Sequence, residues 1–196
     1  MRIVAGRWRG RQLRAPKGDS TRPTSDRVRE ALFSSLVSML GPDLGGGAVL
    51  DAFAGSGALG LEALSRGACR ATFVESDQAA RSVLAANIAA LGAESLTRVV
   101  PGDALLTTTL AMVQTGGPFA LLLLDPPYRI SSAQVAGLMR ALEGEGSLMP
   151  GALVVYEHAT VSRPVAPDAF EIERTRRYGS TSVTIMRRFS PTTETT

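Results

Sequence analysis

The sequence has few of the side chains that form disulfides and metal sites, since its 196 residues include one cysteine and one histidine. Cys69 alone cannot form an internal disulfide, and His158 alone cannot build a histidine-based site, so we expect no metal. Long apolar runs are also missing, and the N-terminus is too densely charged for a signal peptide. These absences favour a cytoplasmic protein, and the length suits one domain with a small appendage.

Charge is distributed unevenly along the chain. Residues 1–29 contain nine Arg and Lys side chains and two Asp, a net charge of +7, whereas the remainder has twelve basic and sixteen acidic residues, a net charge of −4. Clustered cations neutralise phosphates and release counterions, so this asymmetry favours a polyanionic partner. A solvated, charged tail is the alternative interpretation.

Composition divides the chain into three parts. Residues 1–23 read as a small basic hairpin arm with short β-like pieces broken by glycines. We assign 24–189 to one α/β domain that opens with an amphipathic helix capped by Thr24 or Ser25. The polar residues 190–196 are expected to form a disordered tail.

Strand and helix patterns alternate through the domain, which predicts a parallel sheet with helices on both sides. Two further strand-like runs, 170–178 and 182–189, are split by Gly179 and Ser180 and should pair antiparallel at the sheet edge. The other predicted strands are 48–51, 71–75, 96–100, 119–125 and 152–157, and the predicted helices between them are 59–66, 77–91, 104–114 and 132–142.

A glycine-rich segment follows the first predicted strand. Gly55, Gly57 and Gly60 match the Gly-x-Gly-x-x-Gly pattern between a strand and a helix, where dinucleotides bind. The first two glycines would let a ligand approach the backbone. This pattern is weak by itself, and a tight strand-to-helix turn without a ligand remains an alternative.

Three acidic residues at strand ends favour S-adenosylmethionine over a nicotinamide dinucleotide. Asp51 would repel a pyrophosphate but could hold the cationic amino acid portion of this donor, directly or through water. Glu75 can accept hydrogen bonds from both ribose hydroxyls, and Asp103 from the adenine amino group. Acidic residues around the switch point of a parallel sheet suit a ligand without phosphate. Each could instead be a helix cap or a turn residue.

The segment 121–128, Leu-Leu-Leu-Leu-Asp-Pro-Pro-Tyr, carries the candidate chemistry. Its apolar run suits a strand buried on both faces, and Asp125 then lies at the carboxyl end. The prolines lack N–H groups and keep the backbone extended, so Asp125 and the Pro126 carbonyl form an acceptor lip that can bind two hydrogens of one amino group. Tyr128 offers a stacking face for a planar ring. A strand that simply ends in a proline turn is the alternative.

These motifs resemble the amino-directed class I methyltransferases. The N-terminal runs Arg2-Ile-Val-Ala-Gly-Arg-Trp-Arg-Gly-Arg11 and Arg22-Pro-Thr-x-Asp-Arg-Val-Arg-Glu30 are more specifically similar to the RsmD family of 16S ribosomal RNA guanine-N2 methyltransferases. The resemblance covers nearly the whole chain and is strongest up to residue 128. Ala5-Gly6 stands where a Gly-Gly pair is expected, and Tyr128 where Phe is common.

The resemblance implies a seven-stranded Rossmann-like methyltransferase fold, S-adenosylmethionine as the donor, and a guanine of 16S rRNA within an assembling particle as the target. Independently of the resemblance, we expect a monomer that does not act at a membrane. Trp8 could instead pack against the arm, and Arg129 could form a surface salt bridge. The candidate residues are Asp125, Pro126 and Tyr128 for catalysis; Asp51, Phe53, Gly55, Gly57, Glu75 and Asp103 for the donor; and Arg7, Trp8, Arg9, Arg11 and Arg129 for RNA.

Three other functions remain open at this point. An adenine-N6 methyltransferase acting on RNA or DNA would use the same acceptor lip. A nicotinamide-dependent oxidoreductase would explain the glycines but not the prolines. A non-catalytic RNA-binding protein would explain the basic arm but neither motif.

Overall fold

A computed structural model describes residues 1–15 and 26–189 of the chain. The predicted helix cap at Thr24 or Ser25 and the predicted tail 190–196 lie outside these residues. Within the two described ranges, no helix is long and apolar enough to cross a membrane.

The described residues form five helices, seven strands and two short 3-10 segments. The strands are β1 (Ala48–Asp51), β2 (Arg70–Glu75), β3 (Thr97–Pro101), β4 (Phe119–Leu124), β5 (Leu148–Ala159), β6 (Phe170–Tyr178) and β7 (Thr181–Arg188). The helices are α1 (Asp26–Leu40), α2 (Ala58–Ser65), α3 (Gln78–Leu91), α4 (Thr107–Gln114) and α5 (Ser132–Gly144), and the 3-10 segments are Pro42–Gly46 and Glu94–Leu96.

All seven strands belong to one sheet with the order β3-β2-β1-β4-β5-β7-β6. The first five strands are parallel, and β7 pairs antiparallel with both β5 and β6. This confirms the predicted Rossmann-like sheet with a terminal antiparallel hairpin. The strand order reverses between β1 and β4, which is where parallel α/β sheets form a ligand-binding crevice.

Successive side chains of the central strand β4 enter two separate cores. Leu121 and Leu123 pack with α1, α2 and α3, whereas Leu122 and Leu124 pack with α4 and α5 on the other face. Because side chains alternate across a strand, a strand covered on both faces must be apolar throughout. The sheet therefore lies between two helix layers, and its polar groups collect at the strand ends.

Two element starts differ from the prediction by three residues or more. Strand β5 begins at Leu148, four residues earlier than predicted, and helix α4 begins at Thr107 rather than Ala104. Asp103 causes the second difference, since its side chain accepts a hydrogen bond from the Leu105 N–H and its carbonyl accepts one from the Leu106 N–H. This turn delays the helix and leaves Asp103 at the surface.

The N-terminal segment, residues 1–15, is not confirmed as a hairpin arm. A single antiparallel bridge, between Arg2 and Gln12, stands where two strands were predicted. Ile3 and Leu13 are buried in the same core as α1, α2 and α3. The buried carboxylate of Glu62 accepts hydrogen bonds from the N–H groups of Val4 and Ala5 at 2.7 and 3.0 Å. The segment is packed onto the domain instead of projecting from it.

Candidate active site

A cavity of about 690 Å³ lies at the carboxyl ends of β1 to β4. Its charged lining is mainly acidic, with Glu75, Asp77, Asp103 and Asp125 against Arg129. A volume of this size suits a small-molecule ligand, and the acidic lining favours a cationic one. The remaining lining residues are Ala52, Phe53, Val74, Ser76, Gly102, Ala104, Leu105, Pro127, Ile130 and Gln134.

The glycines of the glycine loop, residues 52–57, and Gly60 have different structural roles. Gly57 has φ of +81° and precedes α2, where an added Cβ would overlap the Leu84 side chain. A Cβ on Gly60 would overlap the Phe73 ring. Gly55 alone of the three faces open space. Close packing thus explains two glycines, and Gly55 is the one that leaves room for a ligand.

Asp51 is 1% exposed, and its Oδ2 accepts a hydrogen bond from the Gly60 N–H at 3.0 Å. Burial raises its pKa to about 7, and the neighbouring Glu75 contributes to the increase. Asp51 is not among the residues that line the cavity. Its carboxylate therefore anchors the first turn of α2. No face of Asp51 is open to the cavity for the predicted direct contact with a ligand.

Glu75 is positioned as the sequence predicted, at the end of β2 and in the cavity wall. Its Oε2 accepts a hydrogen bond from the Gly55 N–H and its Oε1 accepts one from the Asp77 N–H, both at 2.8 Å. Each carboxylate oxygen has more than one acceptor direction, so both can still bind a hydroxyl group. Glu75 also ties the glycine loop to the cavity.

Asp103 lines the same cavity from the turn after β3. Its Oδ1 accepts the hydrogen bond from Leu105 at 3.0 Å, and its side chain is exposed. The predicted role as a turn residue and the predicted role as a ligand acceptor are therefore compatible.

The acceptor lip follows β4 directly. Burial raises the pKa of the Asp125 carboxyl well above its ordinary value, and the nearby carboxylates of Glu157 and Asp51 raise it further. None of the described hydrogen bonds reaches the Asp125 carboxylate, which lines the cavity. The carboxylate is therefore available as a hydrogen-bond acceptor, and its buried environment favours contact with positive charge or with N–H donors.

Of the residues that follow Asp125, Pro127 lines the cavity, whereas Pro126 and Tyr128 are not among its lining residues. Pro126 is buried, and the Pro127 carbonyl accepts a hydrogen bond from the Ile130 N–H at 2.9 Å. Tyr128 is 69% exposed, so its ring is available for stacking. Arg129 lines the cavity, and it makes no salt bridge within the described part of the chain.

The N-terminal candidates lie away from this cavity. Arg7 donates to the Leu64 carbonyl at 3.0 Å and lies 4.2 Å from the centre of the Trp8 ring, while the Trp8 N–H binds Ser65 at 3.0 Å. Arg11 reaches the Ala90 carbonyl, near the end of α3. Helix α2 has eight residues and is about 12 Å long. Arg7 and Trp8 contact the C-terminal end of α2, whereas the glycine loop precedes its N-terminal end. Trp8 is partly buried against the core.

Sequence reasoning missed several residues of this site. Glu157 ends the apolar part of β5, where β4 and β5 pair Leu124 with Tyr156, so it lies beside Asp125. The signal was an acidic residue at the end of the fifth predicted strand, which could have been recognised once the strand order was known. Ile130 and Gln134 reach the cavity from the loop before α5 and from α5 itself, and no motif identified them.

A seven-stranded sheet of this order, with a glycine loop after β1 and an Asp-Pro-Pro-Tyr segment after β4, defines the class I methyltransferase fold. An rRNA methyltransferase from Streptomyces viridochromogenes shares this fold with a TM-score of 0.69 at 19% identity, covering 87% of this chain and 88% of that one. A solved structure from Escherichia coli is 38% identical with a TM-score of 0.80, covering 97% of this chain and 99% of that one.

The family model described as Conserved hypothetical protein 95 matches residues 1–187. Ribosomal RNA small subunit methyltransferase D of Escherichia coli is 38% identical over 189 residues, which are 96% of this chain and 90% of the relative. The chain belongs to this family of methyltransferases, as its sequence motifs predicted.

Proposed function

We propose that the protein transfers a methyl group from S-adenosylmethionine to the exocyclic N2 amine of a guanine in 16S rRNA. The observation that carries this proposal is that Glu75 and Asp125 line one cavity. Glu75 binds the glycine loop, and Asp125 belongs to the acceptor lip. Relatives that are 38% and 35% identical are named ribosomal RNA small subunit methyltransferase D, which supports the RNA substrate.

The donor would occupy the part of the cavity between the glycine loop and Asp103. Glu75 would accept hydrogen bonds from the ribose hydroxyls, and Asp103 one from the adenine amine. Phe53 lies in the cavity wall and is a glycine-loop residue that would contact the donor there. The acidic lining stabilises a cationic donor, and Asp51 contributes by fixing the start of α2 rather than by contact.

The target base would enter beside the acceptor lip. The lone pair of the guanine N2 amine is delocalised into the ring, so the amine is a poor nucleophile. Hydrogen bonds from its two hydrogens to Asp125 and the Pro126 carbonyl would turn the lone pair toward the donor, while Tyr128 stacks on the ring. The donor supplies the methyl group bonded to a sulfonium. Positioning of this kind can lower a barrier by roughly 7–11 kcal/mol.

Asp125 also has the properties of a proton acceptor for this reaction. Transfer would form an N–C bond while the S–C bond of the sulfonium breaks and S-adenosylhomocysteine leaves as a neutral thioether. The amine becomes positively charged and must then lose one of its hydrogens as a proton. Burial and the carboxylate of Glu157 raise the pKa of Asp125, which makes its ionised form a stronger base than an ordinary carboxylate. The developing ammonium is stabilised by the same negative charges.

RNA would be held by the basic N-terminal segment and by Arg129. The exposed side chains of Arg9 and Arg14 lie on this segment, and Arg129 lies at the cavity. Because Arg7 and Trp8 are at the far end of α2, the RNA must span that distance, which suits a structured rRNA element within an assembling subunit. We propose that the enzyme acts as a monomer.

Mass spectrometry of rRNA tests this function directly. Small-subunit rRNA from cells that lack the gene should have lost one N2-methylguanosine, and the purified protein with S-adenosylmethionine should restore it. Loss of N6-methyladenosine instead would favour the alternative target base. An unchanged set of modified nucleosides would contradict the proposal.

A further inference from the structure

Asn87, in α3, connects the N-terminal segment to the glycine loop. Its side chain is 1% exposed, and its Oδ1 accepts a hydrogen bond from the Arg14 N–H at 2.8 Å. Its Nδ2 donates to the carbonyls of Arg14 at 3.0 Å and Ser56 at 2.9 Å. One buried amide therefore holds both backbone polar groups of Arg14 and one carbonyl of the glycine loop.

The hydrogen bonds continue from Ser56 into the candidate donor site. Gly55, the neighbour of Ser56, donates its N–H to the Glu75 carboxylate at 2.8 Å, and Glu75 lines the cavity. At the other end, the Arg14 side chain is exposed while its backbone is fixed by Asn87. A continuous series of buried and partly buried contacts thus runs from an exposed arginine to the carboxylate that faces the donor.

We propose that Asn87 is a positioning residue that couples RNA binding at the N-terminal segment to donor binding at the glycine loop. The proposal rests on the function proposed above. A phosphate bound by the Arg14 side chain orders the backbone of residue 14, and the amide that holds this backbone also holds the Ser56 carbonyl. Ordering the segment therefore favours the loop conformation in which Gly55 binds Glu75. Linkage requires the effect to be reciprocal, so donor binding must strengthen RNA binding by the same factor.

The test measures the dissociation constant of S-adenosylhomocysteine by equilibrium dialysis, without and with saturating unmethylated 16S rRNA. For the wild type we expect the RNA to lower this constant about fivefold or more, a typical coupling between two sites. In Asn87→Ala the ratio of the two constants should fall to about one. Because Asn87 is buried and its truncation lowers stability, Arg14→Ala provides a second measurement on an exposed position, and its ratio should also fall toward one.

Two matched controls distinguish coupling from general loosening of the segment. Arg9→Ala removes another exposed arginine of the segment and should weaken RNA binding while keeping the wild-type ratio. Ser65→Ala removes contacts with the Trp8 N–H and the Ala5 carbonyl but touches no part of the glycine loop, so its ratio should also be unchanged.

The outcomes separate this inference from the function on which it rests. A wild-type protein that binds both ligands, but whose two dissociation constants for S-adenosylhomocysteine are equal, would overturn the coupling alone. The coupling would also be overturned if Asn87→Ala kept the wild-type ratio of these constants, or if Ser65→Ala lowered the ratio as much as Asn87→Ala. A wild-type protein that binds no S-adenosylhomocysteine would show that the proposed donor itself is wrong.

Discussion

Asp125 and Glu157 occupy adjacent positions at the carboxyl ends of β4 and β5. Strand register sets this arrangement, since Leu124 pairs with Tyr156 immediately before them. With Asp51 on β1 and Glu75 on β2, they form a row of carboxylates across four neighbouring strands. The row gives the cavity its negative field: Glu75 raises the pKa of Asp51, and Glu157 and Asp51 raise the pKa of Asp125.

Glu157→Gln should move the acid limb of the pH dependence of kcat to lower pH. Asp125 must be ionised to accept the hydrogens of the amine, so activity rises as the pH passes its raised pKa. Removing the neighbouring negative charge lowers that pKa. Methyl transfer rates measured between pH 5 and 9 test this shift. Glu171→Gln, an exposed position on β6, is the control, and an acid limb that stays in place would contradict the expected effect.

Asp125→Ala should bind S-adenosylhomocysteine nearly as well as the wild type but lose most methyl transfer, about 10²- to 10³-fold in kcat. The carboxylate acts mainly on the amine in the transition state, so the loss belongs to kcat. Tyr128→Phe, which keeps the ring at an exposed position, should retain most activity. Single-turnover assays measure the transfer step. A near-normal rate for Asp125→Ala would show that the acceptor lip has a structural role and no catalytic one.

Glu75→Ala should weaken donor binding by about 1–3 kcal/mol, because a charged acceptor of two hydroxyl groups is lost. The loop should also loosen, since the Gly55 N–H loses its partner. Calorimetry with S-adenosylmethionine measures the change, and Glu94→Gln, an exposed acidic position outside the cavity, is the control. Tight NAD binding by the wild type, with no heat from S-adenosylmethionine, would reject the donor.

Wild-type stability should fall as the pH rises from about 4 to 7. The pKa of Asp51 is raised from 3.8 to about 7 in the folded protein, so the folded state binds more protons than the unfolded chain in this range. The stabilisation is complete below the unfolded pKa and is lost as the pH passes the folded pKa. Urea unfolding of Asp51→Asn at several pH values should give a flatter dependence. The remaining slope belongs in part to Asp125, and an unchanged slope would show that Asp51 does not titrate in this way.

Ile3→Ala should destabilise the whole domain by about 2–5 kcal/mol, the usual effect of truncating a fully buried Ile. Ile3 is completely buried in the core shared by α1, α2 and α3. Arg9→Ala, an exposed change in the same segment, should leave stability within about 0.5 kcal/mol of the wild type. Thermal unfolding compares the two variants. Equal stability of both would mean that the segment is an independent arm, as the sequence alone suggested.

Local patterns in the sequence were sufficient to predict most elements and the fold class. The apolar run of β4, the alternation of strands and helices, and the terminal hairpin were all confirmed. Glu75 and Asp103 lie in the cavity wall, as their positions after predicted strands indicated. Family membership, predicted from the motifs, was also confirmed. The chemical roles of the individual site residues remain predictions.

Tertiary structure decided which side chains meet. Asp51 turns toward the Gly60 N–H, Glu157 lies beside Asp125, and Asn87 reaches both Arg14 and Ser56. The N-terminal segment packs into the core because Ile3 and Leu13 have a partner surface on helices that come later in the chain. Periodicity, glycine conformation and proline effects act between neighbours along the chain, so the sequence determined them by itself. Contacts between distant residues, such as Asn87 with Arg14 at 73 positions apart and with Ser56 at 31, depend on strand order, register and helix packing, which exist only once the chain has folded.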